Sequence, residues 1–518
     1  MFGRLLAAIR KDIFIAFQIA LLFTVGFTLR FVNLGYSNLQ GDEIRIICRP
    51  SNFNTIVQFL GYLLGQREGP AEYIITCGLG LIDPTFSSEF FVRLPFATAN
   101  MIALLCLFIL VWRLFNINVA IFAGFLFASN GIFVGQARFA QYQSIVQLGV
   151  TAGLMGLVLA IRDVRWRVSG LYLGFLAAAG ALLSHFDGVF VLPPMALLVL
   201  HWWTKYKGLP EFPQLRKHLF AAVGLYSLLV FTFYIEYVNR LDTTRLSYWG
   251  TRFVSNPTDT LNFFTYFNPG LIPWIYLIAV ILAFTRLRRS VGWQVILVWL
   301  IPPLVFMELI FKDSRASAYD YILPLILLAG LGFSTLLDWF RHRVQIRAIQ
   351  TVQAGILILV LGFAFISFQL FVDHESEYPW QPKTVLGMEV TGGYLNGLFG
   401  VPYNRDWRAI GAWFERSAEK TQIVATNEKL IISQFYLPSS VKYKYIYRDS
   451  LQERPVEEGI YILMVENPQS WMDQLWGWTS AQWSENLTPE HEFVNEEGTI
   501  VASLYFLTQG QIDAEFHW

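Results

Sequence analysis

Long apolar stretches alternate with short polar loops over the first 372 residues of this 518-residue chain. A bilayer core needs about 20 apolar residues for each helix that crosses it. Eleven stretches meet this requirement, and they predict transmembrane helices at 13–34, 91–112, 117–135, 142–161, 168–185, 188–204, 218–237, 268–285, 292–311, 319–340 and 350–372. A long loop, 35–90, separates the first two. Arg30 lies in the last turn of the first stretch, from which its side chain can extend to the interface.

The chain is more polar from residue 373 to residue 518, and this region predicts one soluble domain of ordinary size. Helical spacing of apolar residues predicts a helix over Asp406–Ser417, and residues 468–478 suit another. Short apolar runs predict strands at Thr421–Ala425, Val441–Tyr447, Gly459–Val465 and Thr499–Phe506. The expected fold is therefore a multi-pass α-helical membrane domain, 1–372, followed by a mixed α/β soluble domain, 373–518.

Basic residues concentrate in one alternating set of short loops. They are Arg4, Arg10, Lys11, Arg113, Arg162, Arg165, Arg167, Lys205, Lys207, Arg216, Lys217, Arg286, Arg288, Arg289, Arg341, Arg343 and Arg347. Loops rich in Lys and Arg stay in the cytoplasm. With eleven spans, the N-terminus is then cytoplasmic, while loop 35–90 and the C-terminal domain lie outside. Compact loops and the lack of a eukaryotic retention signal favour a bacterial or archaeal plasma membrane.

The composition supports a membrane protein and excludes other classes. Charged residues make up 15% of the chain and hydrophobic residues 55%, with a mean hydropathy of +0.45. A net charge of +0 without a long Lys/Arg run argues against nucleic-acid binding. The three cysteines, Cys48, Cys77 and Cys106, lack Cys-x-x-Cys spacing, so we expect apolar filler rather than a disulfide framework or a zinc site.

Two adjacent carboxylates, Asp42 and Glu43, follow the first predicted span. Asp42 and Arg45 are three residues apart and would share one face of a helix. A carboxylate beside an arginine stays ionised near neutral pH and can act as a general base, while the arginine can hold a phosphate. The alternative is an exposed helix start with a local ion pair. Glu43 either orients Asp42, binds an acceptor, or is a solvated helix residue.

Several segments, taken in order, resemble the GT-C superfamily of membrane glycosyltransferases. Gly41–Arg45 is similar to the Asp-Glu-x-Arg motif of bacterial lipid A aminoarabinose transferases, and protein O-mannosyltransferases share its Asp-Glu start. The other segments are Phe90–Pro95, Gln136–Tyr142, Ser184–Phe186 and Tyr319–Pro324. Two positions depart from the pattern. Glu68 stands where many relatives carry a basic or His residue, and Asp320 occupies the place of a late-span arginine.

The resemblance implies transfer of a sugar from a polyprenyl-phosphate donor to a glycan, lipid or protein acceptor on the outer face. Asp42 is then the expected base of a single inverting displacement. The arginines expected to hold the leaving phosphate are Arg45, Arg138 and Arg315, all outside by the loop count.

The residues Glu68, His185 and Asp187 are candidates for contact with the donor or acceptor sugar. The alternative for His185 is a satisfied interface histidine. A metal site with a first-loop carboxylate also stays open for it, although one histidine and scattered acids do not specify metal geometry. We therefore expect no obligatory metal.

Two other functions compete with the transferase. A transporter or lipid flippase would show paired broken spans in two matching halves, and the sequence shows no such symmetry. A catalytically inactive assembly protein is the second rival. Glu68 at a basic position keeps it open, whereas Asp42 with Arg45 argues against it.

Overall fold

The structure is a computed structural model. It describes residues 13–66, 68–240, 243–254, 260–285, 290–311, 317–341, 346–380, 383–385, 387–390, 399–417, 423–446, 459–469, 487–508 and 510–511. These residues fall into two compact units. The first unit comprises the described residues within Met1–Leu34 and Cys48–Val401. The second unit comprises those within Gly35–Ile47 and Pro402–Trp518.

Apolar helices build the first unit. Helices are numbered along the whole chain, and α2 (Gly41–Arg45) belongs to the second unit. The helices of the first unit are α1 (Ile13–Phe31), α3 (Ile56–Leu64), α4 (Ala71–Ile82), α5 (Glu89–Leu114), α6 (Ile117–Ser129), α7 (Gly131–Ala137), α8 (Gln143–Arg162), α9 (Ser169–Ser184), α10 (Leu192–Tyr206), α11 (Phe212–Asn239), α12 (Thr243–Val254), α13 (Thr260–Phe267), α14 (Ile272–Phe284), α15 (Val291–Val305), α16 (Tyr319–Arg341) and α17 (Ile346–Phe371). A 3₁₀ segment, Phe186–Val191, precedes α10, and a π-helical segment, Phe306–Phe311, continues α15.

In the described part of the chain, eight helical segments are long and apolar enough to cross a bilayer. Helices α6 and α7 make a ninth if that bent pair is one span. Two more predicted spans coincide with shorter apolar helices, α9 and α14. The multi-pass helical fold is thus confirmed, whereas the count of eleven crossings stays a prediction.

The α6–α7 pair bends by 62° at Asn130. A break inside a span leaves carbonyl groups that water cannot satisfy in the hydrocarbon region. The last four carbonyl oxygens of α6, Leu126–Ser129, accept hydrogen bonds of 2.6–3.5 Å from Tyr276, Arg30 and Ser367. Side chains of three other helices therefore supply the hydrogen-bond donors that these carbonyl groups lack within α6.

Arg30 is fully buried, so the expectation that it extends to the interface is wrong. Its Nε donates to Asn100 Oδ1 at 2.6 Å, and the chain of side-chain hydrogen bonds continues through Gln147 to Gln136. The broken end of α6 supplies the carbonyl acceptors that stabilise a guanidinium group at this depth.

The structure joins Cys48 and Cys77 in a disulfide, which corrects the expectation of unpaired filler. Their Cα atoms lie 4.6 Å apart, although 29 residues separate them in sequence. Spacing motifs detect only neighbouring cysteines, and here helix α4 turns the first loop back on itself. Gly80 shows how closely the two segments pack, because an added Cβ there would lie 2.8 Å from the Cys48 carbonyl oxygen.

Five strands form the sheet of the second unit: β3 (Ile423–Thr426), β4 (Lys442–Tyr445), β5 (Ile460–Val465), β6 (His491–Val494) and β7 (Ile500–Leu507). Their order is β4-β3-β5-β7-β6, with β3 parallel to both β4 and β5. Strand β7 runs antiparallel to β5 and β6. A separate hairpin, β1 (Lys383–Val385) with β2 (Met388–Val390), belongs to the first unit.

Two helices, α18 (Trp407–Arg416) and α19 (Leu430–Tyr436), pack in the second unit. Helix α18 confirms the helix predicted over Asp406–Ser417, and its Trp407 and Phe414 side chains are both 0% exposed. The mixed α/β fold is confirmed, while β6 and α19 lacked a clear sequence pattern. The helix predicted at 468–478 lies mostly outside the described residues. The first unit extends to Val401, and the predicted limits 1–372 and 373–518 stay a prediction.

Candidate functional site

The Asp42 motif forms a short helix, α2, at the start of the long loop. The backbone N–H of Gln40 donates to Glu43 Oε2 at 2.9 Å, which is half of a capping box. Glu43 is 0% exposed. The interpretation of Glu43 as a solvated helix residue is therefore wrong, and its carboxylate fixes the start of this helix. Roles in orienting Asp42 or binding an acceptor stay predictions.

Asp42 and Arg45 lie together on the exposed side of α2. Arg45 Nη1 donates to Asp42 Oδ1 at 3.0 Å, and the two side chains remain 56% and 60% exposed for Asp42 and Arg45 respectively. The predicted i,i+3 pair is thus present. An exposed pair of this kind contributes little to stability, so both groups can exchange partners at small energetic cost.

Packing within the second unit, to which α2 belongs, fixes the position of this helix. Ile44 contacts the apolar core of that unit, and the Gly41 Cα lies where an added Cβ would meet Ile431 at 3.4 Å. The backbone N–H of Leu39 donates to the Tyr436 hydroxyl at 2.8 Å. The segment carrying the candidate base is therefore built into the same compact unit as the C-terminal sheet, which no sequence pattern indicated.

A second polar cluster lies in the first unit, where α9 ends and α16 begins. Tyr319 Oη donates to Asp187 Oδ2 at 3.0 Å. His185 stacks on Tyr142, with ring centroids 3.8 Å apart. Asp187 is 0% exposed and His185 4%. The structure thus brings together three separated segments that the sequence had singled out one by one.

The His185 ring makes two contacts with Asp187. Its Nδ1 accepts the backbone N–H of Asp187 at 3.3 Å and lies 3.1 Å from Asp187 Oδ2. These two atoms could also serve as two ligands of a divalent ion, which would need further donors.

Asp320 adds a second buried carboxyl group beside this cluster, at the first turn of α16. Among the described residues, neither Asp187 Oδ1 nor Asp320 Oδ2 has a hydrogen-bond partner. Buried polar atoms without partners are costly, and a proton, a cation or a substrate hydroxyl group would relieve that cost. Sequence reasoning noted Asp320 only as a departure from a pattern and gave no role to Tyr319 or Tyr142.

The Glu68 loop lies next to the His185 turn. Gly69 approaches so closely that an added Cβ would lie 2.2 and 2.6 Å from the carbonyl oxygens of Leu183 and Ser184. Glu68 precedes this contact and is half-buried. The backbone that follows Glu68 therefore packs against the end of the helix that precedes His185, and a role for Glu68 in sugar binding stays a prediction.

The guanidinium group of Arg138 donates hydrogen bonds to the backbone at the end of the first span. It donates to the carbonyl oxygens of Leu29, Val32 and Asn33 at 3.3, 2.7 and 2.9 Å. Arg93 adds a fourth such bond, to the Leu34 carbonyl oxygen at 3.2 Å. These arginines cap α1 and its extension. Arg315 lies outside the described residues, so its role stays a prediction.

Residues 81–253 match the profile described as dolichyl-phosphate-mannose-protein mannosyltransferase, over less than half of the chain. No curated protein sequence matches the chain.

Solved structures share the fold at low sequence identity. The chain is similar to ArnT from Cupriavidus metallidurans bound to undecaprenyl phosphate, with 13% identity over 94% of this chain and 97% of ArnT and a TM-score of 0.53. The apo form of ArnT gives 12% identity, 95% and 98% coverage, and a TM-score of 0.55.

A second similar structure is the archaeal oligosaccharyltransferase AglB from Archaeoglobus fulgidus, in complex with an inhibitory peptide and a dolichol-phosphate. Identity is 13% over 88% of this chain and 70% of that one, with a TM-score of 0.52. Together these likenesses confirm the fold that the ordered motifs predicted.

Proposed function

We propose that this chain, which has the GT-C fold, is a glycosyltransferase that moves a sugar from a polyprenyl-phosphate donor to an acceptor on the outer face of the membrane. The observation that carries the proposal is the exposed Asp42 carboxylate with Arg45 beside it on one face of a capped helix. The ligands of two structures with a similar fold support it, because the ArnT structure holds undecaprenyl phosphate and the AglB structure holds a dolichol-phosphate, which are lipid carriers of the proposed kind.

The proposed chemistry needs one base and one cation. Asp42 takes the proton of an acceptor hydroxyl group, and the acceptor oxygen forms a bond to the anomeric carbon of the donor sugar. The bond from that carbon to the phosphate oxygen breaks, and the phosphate leaves with the electron pair. Arg45 leaves its ion pair with Asp42 and stabilises the phosphate charge.

Roles of the remaining candidates follow from where their atoms are engaged. Arg138 acts as a positioning residue in this proposal, because its donors hold the end of the first span. His185, Asp187 and Glu68 contact a sugar, whose hydroxyl groups would satisfy the Asp187 carboxylate. Arg315 remains a proposed second phosphate ligand.

The disulfide supports the outer location of the first loop. Cys48 follows the Asp42 helix by a few residues and pairs with Cys77. Structural disulfides form and persist in oxidising compartments, outside the bacterial or archaeal plasma membrane. The proposed orientation, with a cytoplasmic N-terminus, places this loop in such a compartment.

A transporter is the second candidate, and the broken span at Asn130 is the feature that favours it, since discontinuous helices line transporter sites. The carbonyl groups at this break, however, are taken up by Tyr276, Arg30 and Ser367. They are therefore engaged by protein groups instead of facing a transported ion.

Two measurements test the proposal. Lipids that purify with the protein in detergent are extracted and identified by mass spectrometry, and the protein is then incubated with synthetic polyprenyl-phosphate sugars and a panel of glycan, lipid and peptide acceptors. We expect a bound polyprenyl phosphate or its glycoside, and release of polyprenyl phosphate as the acceptor gains mass. Movement of unchanged donor across the bilayer of liposomes that contain the protein would support the transporter, and binding without turnover of any acceptor would support the inactive assembly protein.

A further inference from the structure

A cavity of about 290 Å³ lies at one end of the helical bundle, where four helices long and apolar enough to cross a bilayer meet. Helices α5, α8 and α10 end there, and α15 begins there at Val291. Tyr142, which stacks on His185, precedes the opposite end of α8. Helix α8 has 20 residues and a rise of about 1.5 Å for each, so it separates the cavity from the His185 cluster by about 30 Å.

The rim of the cavity is basic. Arg162 and Lys205 are exposed and line the cavity together with His201, which is half-buried. Among the described residues that line the cavity, none carries a carboxylate. The rim therefore offers two permanent positive charges and an imidazole ring that can donate a hydrogen bond, which is a set of groups suited to an anion.

The floor of the cavity is apolar. On α10, Leu198, His201 and Lys205 are spaced i, i+3 and i+7 and share one face, with Leu198 farthest from the helix end. On α8, Val158 and Arg162 are four residues apart and also share a face. Val158 is 1% exposed and Leu198 0%. Each helix thus places a cation at the rim and a buried apolar side chain about one or two turns deeper.

The acidic residues of the loops at this end are engaged with other arginines. Asp163 pairs with Arg113 at 3.6 Å, and Glu211 pairs with Arg167. Eight basic residues stand against these two acidic ones in the segments 113–116, 162–168 and 205–217. This end of the bundle therefore keeps an excess of positive charge, which attracts anionic lipid headgroups.

Support of helix ends accounts for Lys205 but not for Arg162. Lys205 Nζ donates to the Ile161 carbonyl oxygen at the end of α8, and it keeps further N–H groups for a ligand. Tyr206 Oη donates to the carbonyl oxygens of Ala160 and Ile161 at 3.1 Å. Within the described part of the chain, the Arg162 guanidinium group has no hydrogen-bond or ion-pair partner. A ligand at the rim would give it one.

We infer that this cavity binds an anionic phospholipid, whose phosphate lies at the rim with Arg162 and Lys205. A phosphate ester is the chemistry that the rim recognises, and the apolar floor at the ends of membrane helices favours a lipid over a soluble phosphate. The carbon chain next to the phosphate fills the floor, and a volume of about 290 Å³ suits such a small group. The N-terminus of α15 at Val291 adds partial positive charge.

The lipid bound here is separate from the proposed polyprenyl-phosphate donor. The cavity lies at the opposite end of α8 from Tyr142 and His185, and in the proposed orientation its basic loops are cytoplasmic. An anionic lipid of the cytoplasmic leaflet can therefore occupy it while the outer site holds the donor.

Photolabelling of the full-length protein in phosphatidylcholine nanodiscs tests the site. The discs contain a trace of one of two probes, phosphatidylglycerol or phosphatidylcholine, each with a diazirine at the start of one acyl chain. We expect the phosphatidylglycerol probe to label the peptides that contain Val158 and Leu198 at least about fivefold more, because only this probe carries a net negative charge. Equal labelling by both probes would overturn the inference.

Added inorganic phosphate separates the two sources of a phosphate group. At constant ionic strength, an excess of inorganic phosphate should leave the labelling unchanged, whereas unlabelled phosphatidylglycerol in the disc should reduce it. Loss of labelling on addition of inorganic phosphate would show a site for soluble phosphate and overturn the lipid.

Two arginines of one loop provide a variant and its matched control. Arg162→Gln should reduce the labelling about fivefold, the effect expected for one basic residue at a membrane surface. Arg165→Gln removes the same charge from an exposed arginine that does not line the cavity, and it should leave the labelling unchanged. Equal reductions in the two variants would show a general effect of surface charge and overturn the site.

Thermal unfolding in the same discs gives a second measurement. A ligand that binds only the folded protein raises its melting temperature. Phosphatidylglycerol should therefore raise the melting temperature of wild type and Arg165→Gln but not that of Arg162→Gln. Each protein is compared with itself, so a general loss of stability in Arg162→Gln cannot imitate a loss of binding. An equal rise in all three proteins would contradict the site. Neither measurement requires sugar transfer, so the result stands or falls independently of the proposed function.

Discussion

Arg138 Nη1 donates to the carbonyl oxygen of Val32 at 2.7 Å, joining two segments that are 106 residues apart in sequence. Val32 directly follows the last residue of the first span. Carbonyl groups at a helix end lack partners within the helix, and at a membrane interface a guanidinium group can replace the missing donors. The position from which the Asp42 segment departs is therefore set by a side chain of the α7 turn.

Replacing Arg138 by Ala is expected to destabilise the protein. The change removes three charge-assisted hydrogen bonds and leaves the carbonyl groups at the end of the first span without this donor, which should cost about 3 kcal/mol. Thermal unfolding in detergent, followed by intrinsic fluorescence, measures the effect. The matched control is Arg341→Ala, which removes an exposed ion pair to Asp338 and should change stability by less than about 0.5 kcal/mol. Equal melting temperatures for Arg138→Ala and wild type would contradict the capping role.

The disulfide predicts a thiol count. The chain has three cysteines, and the structure pairs Cys48 with Cys77 and leaves Cys106 free and buried. Denatured protein should react with one maleimide per chain without reductant and with three after reduction. The non-reduced digest should contain a linked peptide pair spanning Cys48 and Cys77. Three reactive thiols in protein purified without reductant would contradict both the disulfide and the outer location it supports.

Glu428 predicts a pH dependence of the second unit. Its carboxylate is fully buried and accepts hydrogen bonds from the Tyr403 hydroxyl at 2.7 Å and from the backbone N–H groups of Lys429 and Gln469. Burial raises the pKa of this carboxyl group in spite of these bonds. The folded state therefore favours the protonated form. Its stabilising contribution is present below the ordinary pKa of about 4.3 and is lost as the pH rises through the raised pKa.

Comparison of wild type with Glu428→Gln isolates this effect. We expect the melting temperature of the variant to increase relative to that of the wild type as the pH rises from about 4.3 towards neutrality. Only the wild type has a buried group that must ionise in this range. A difference between the two proteins that stays constant with pH would contradict the raised pKa.

The geometry around Asp42 predicts inversion at the anomeric carbon. Retention by double displacement needs a second carboxylate that attacks the anomeric carbon. Glu43, the neighbouring carboxylate, is buried and bound to the Gln40 N–H, so it cannot attack a sugar. The product should carry the anomeric configuration opposite to that of the donor, as measured by the proton coupling constant in NMR. A product with the donor's configuration would contradict the single displacement.

Apolar length and order of motifs were sufficient to predict the class of fold. Each predicted span coincides with an apolar helix because the bilayer requirement acts on local composition. The strands of the C-terminal sheet were predictable from their short apolar runs, apart from β6, whose His491 and Glu492 interrupt the apolar pattern.

Contacts between distant segments were not predictable in this way. Arg30 was predicted to reach the interface because the sequence shows no acceptor for it inside the membrane. Its acceptors are carbonyl groups at the end of α6, and these are available only because that helix breaks at Asn130. Cys48 and Cys77 lacked a spacing motif, and only the return of α4 brings them together. The Asp187–Tyr319 contact joins residues 132 positions apart, so the sequence could mark each as polar at a span end but not as a pair.

The most direct test of the central claim is a single-turnover measurement with Asp42→Asn. The matched control is Asp338→Asn, because Asp338 forms the same kind of exposed i,i+3 pair with Arg341 at 3.4 Å. Each protein is loaded with the polyprenyl-phosphate sugar that purifies with it or binds to it, and the acceptor is then added. Asp42→Asn should hold the donor but transfer its sugar at least about 100-fold more slowly than wild type, as expected on loss of a general base, while Asp338→Asn should match wild type. Transfer by Asp42→Asn at the wild-type rate would contradict the assignment of Asp42 as the base.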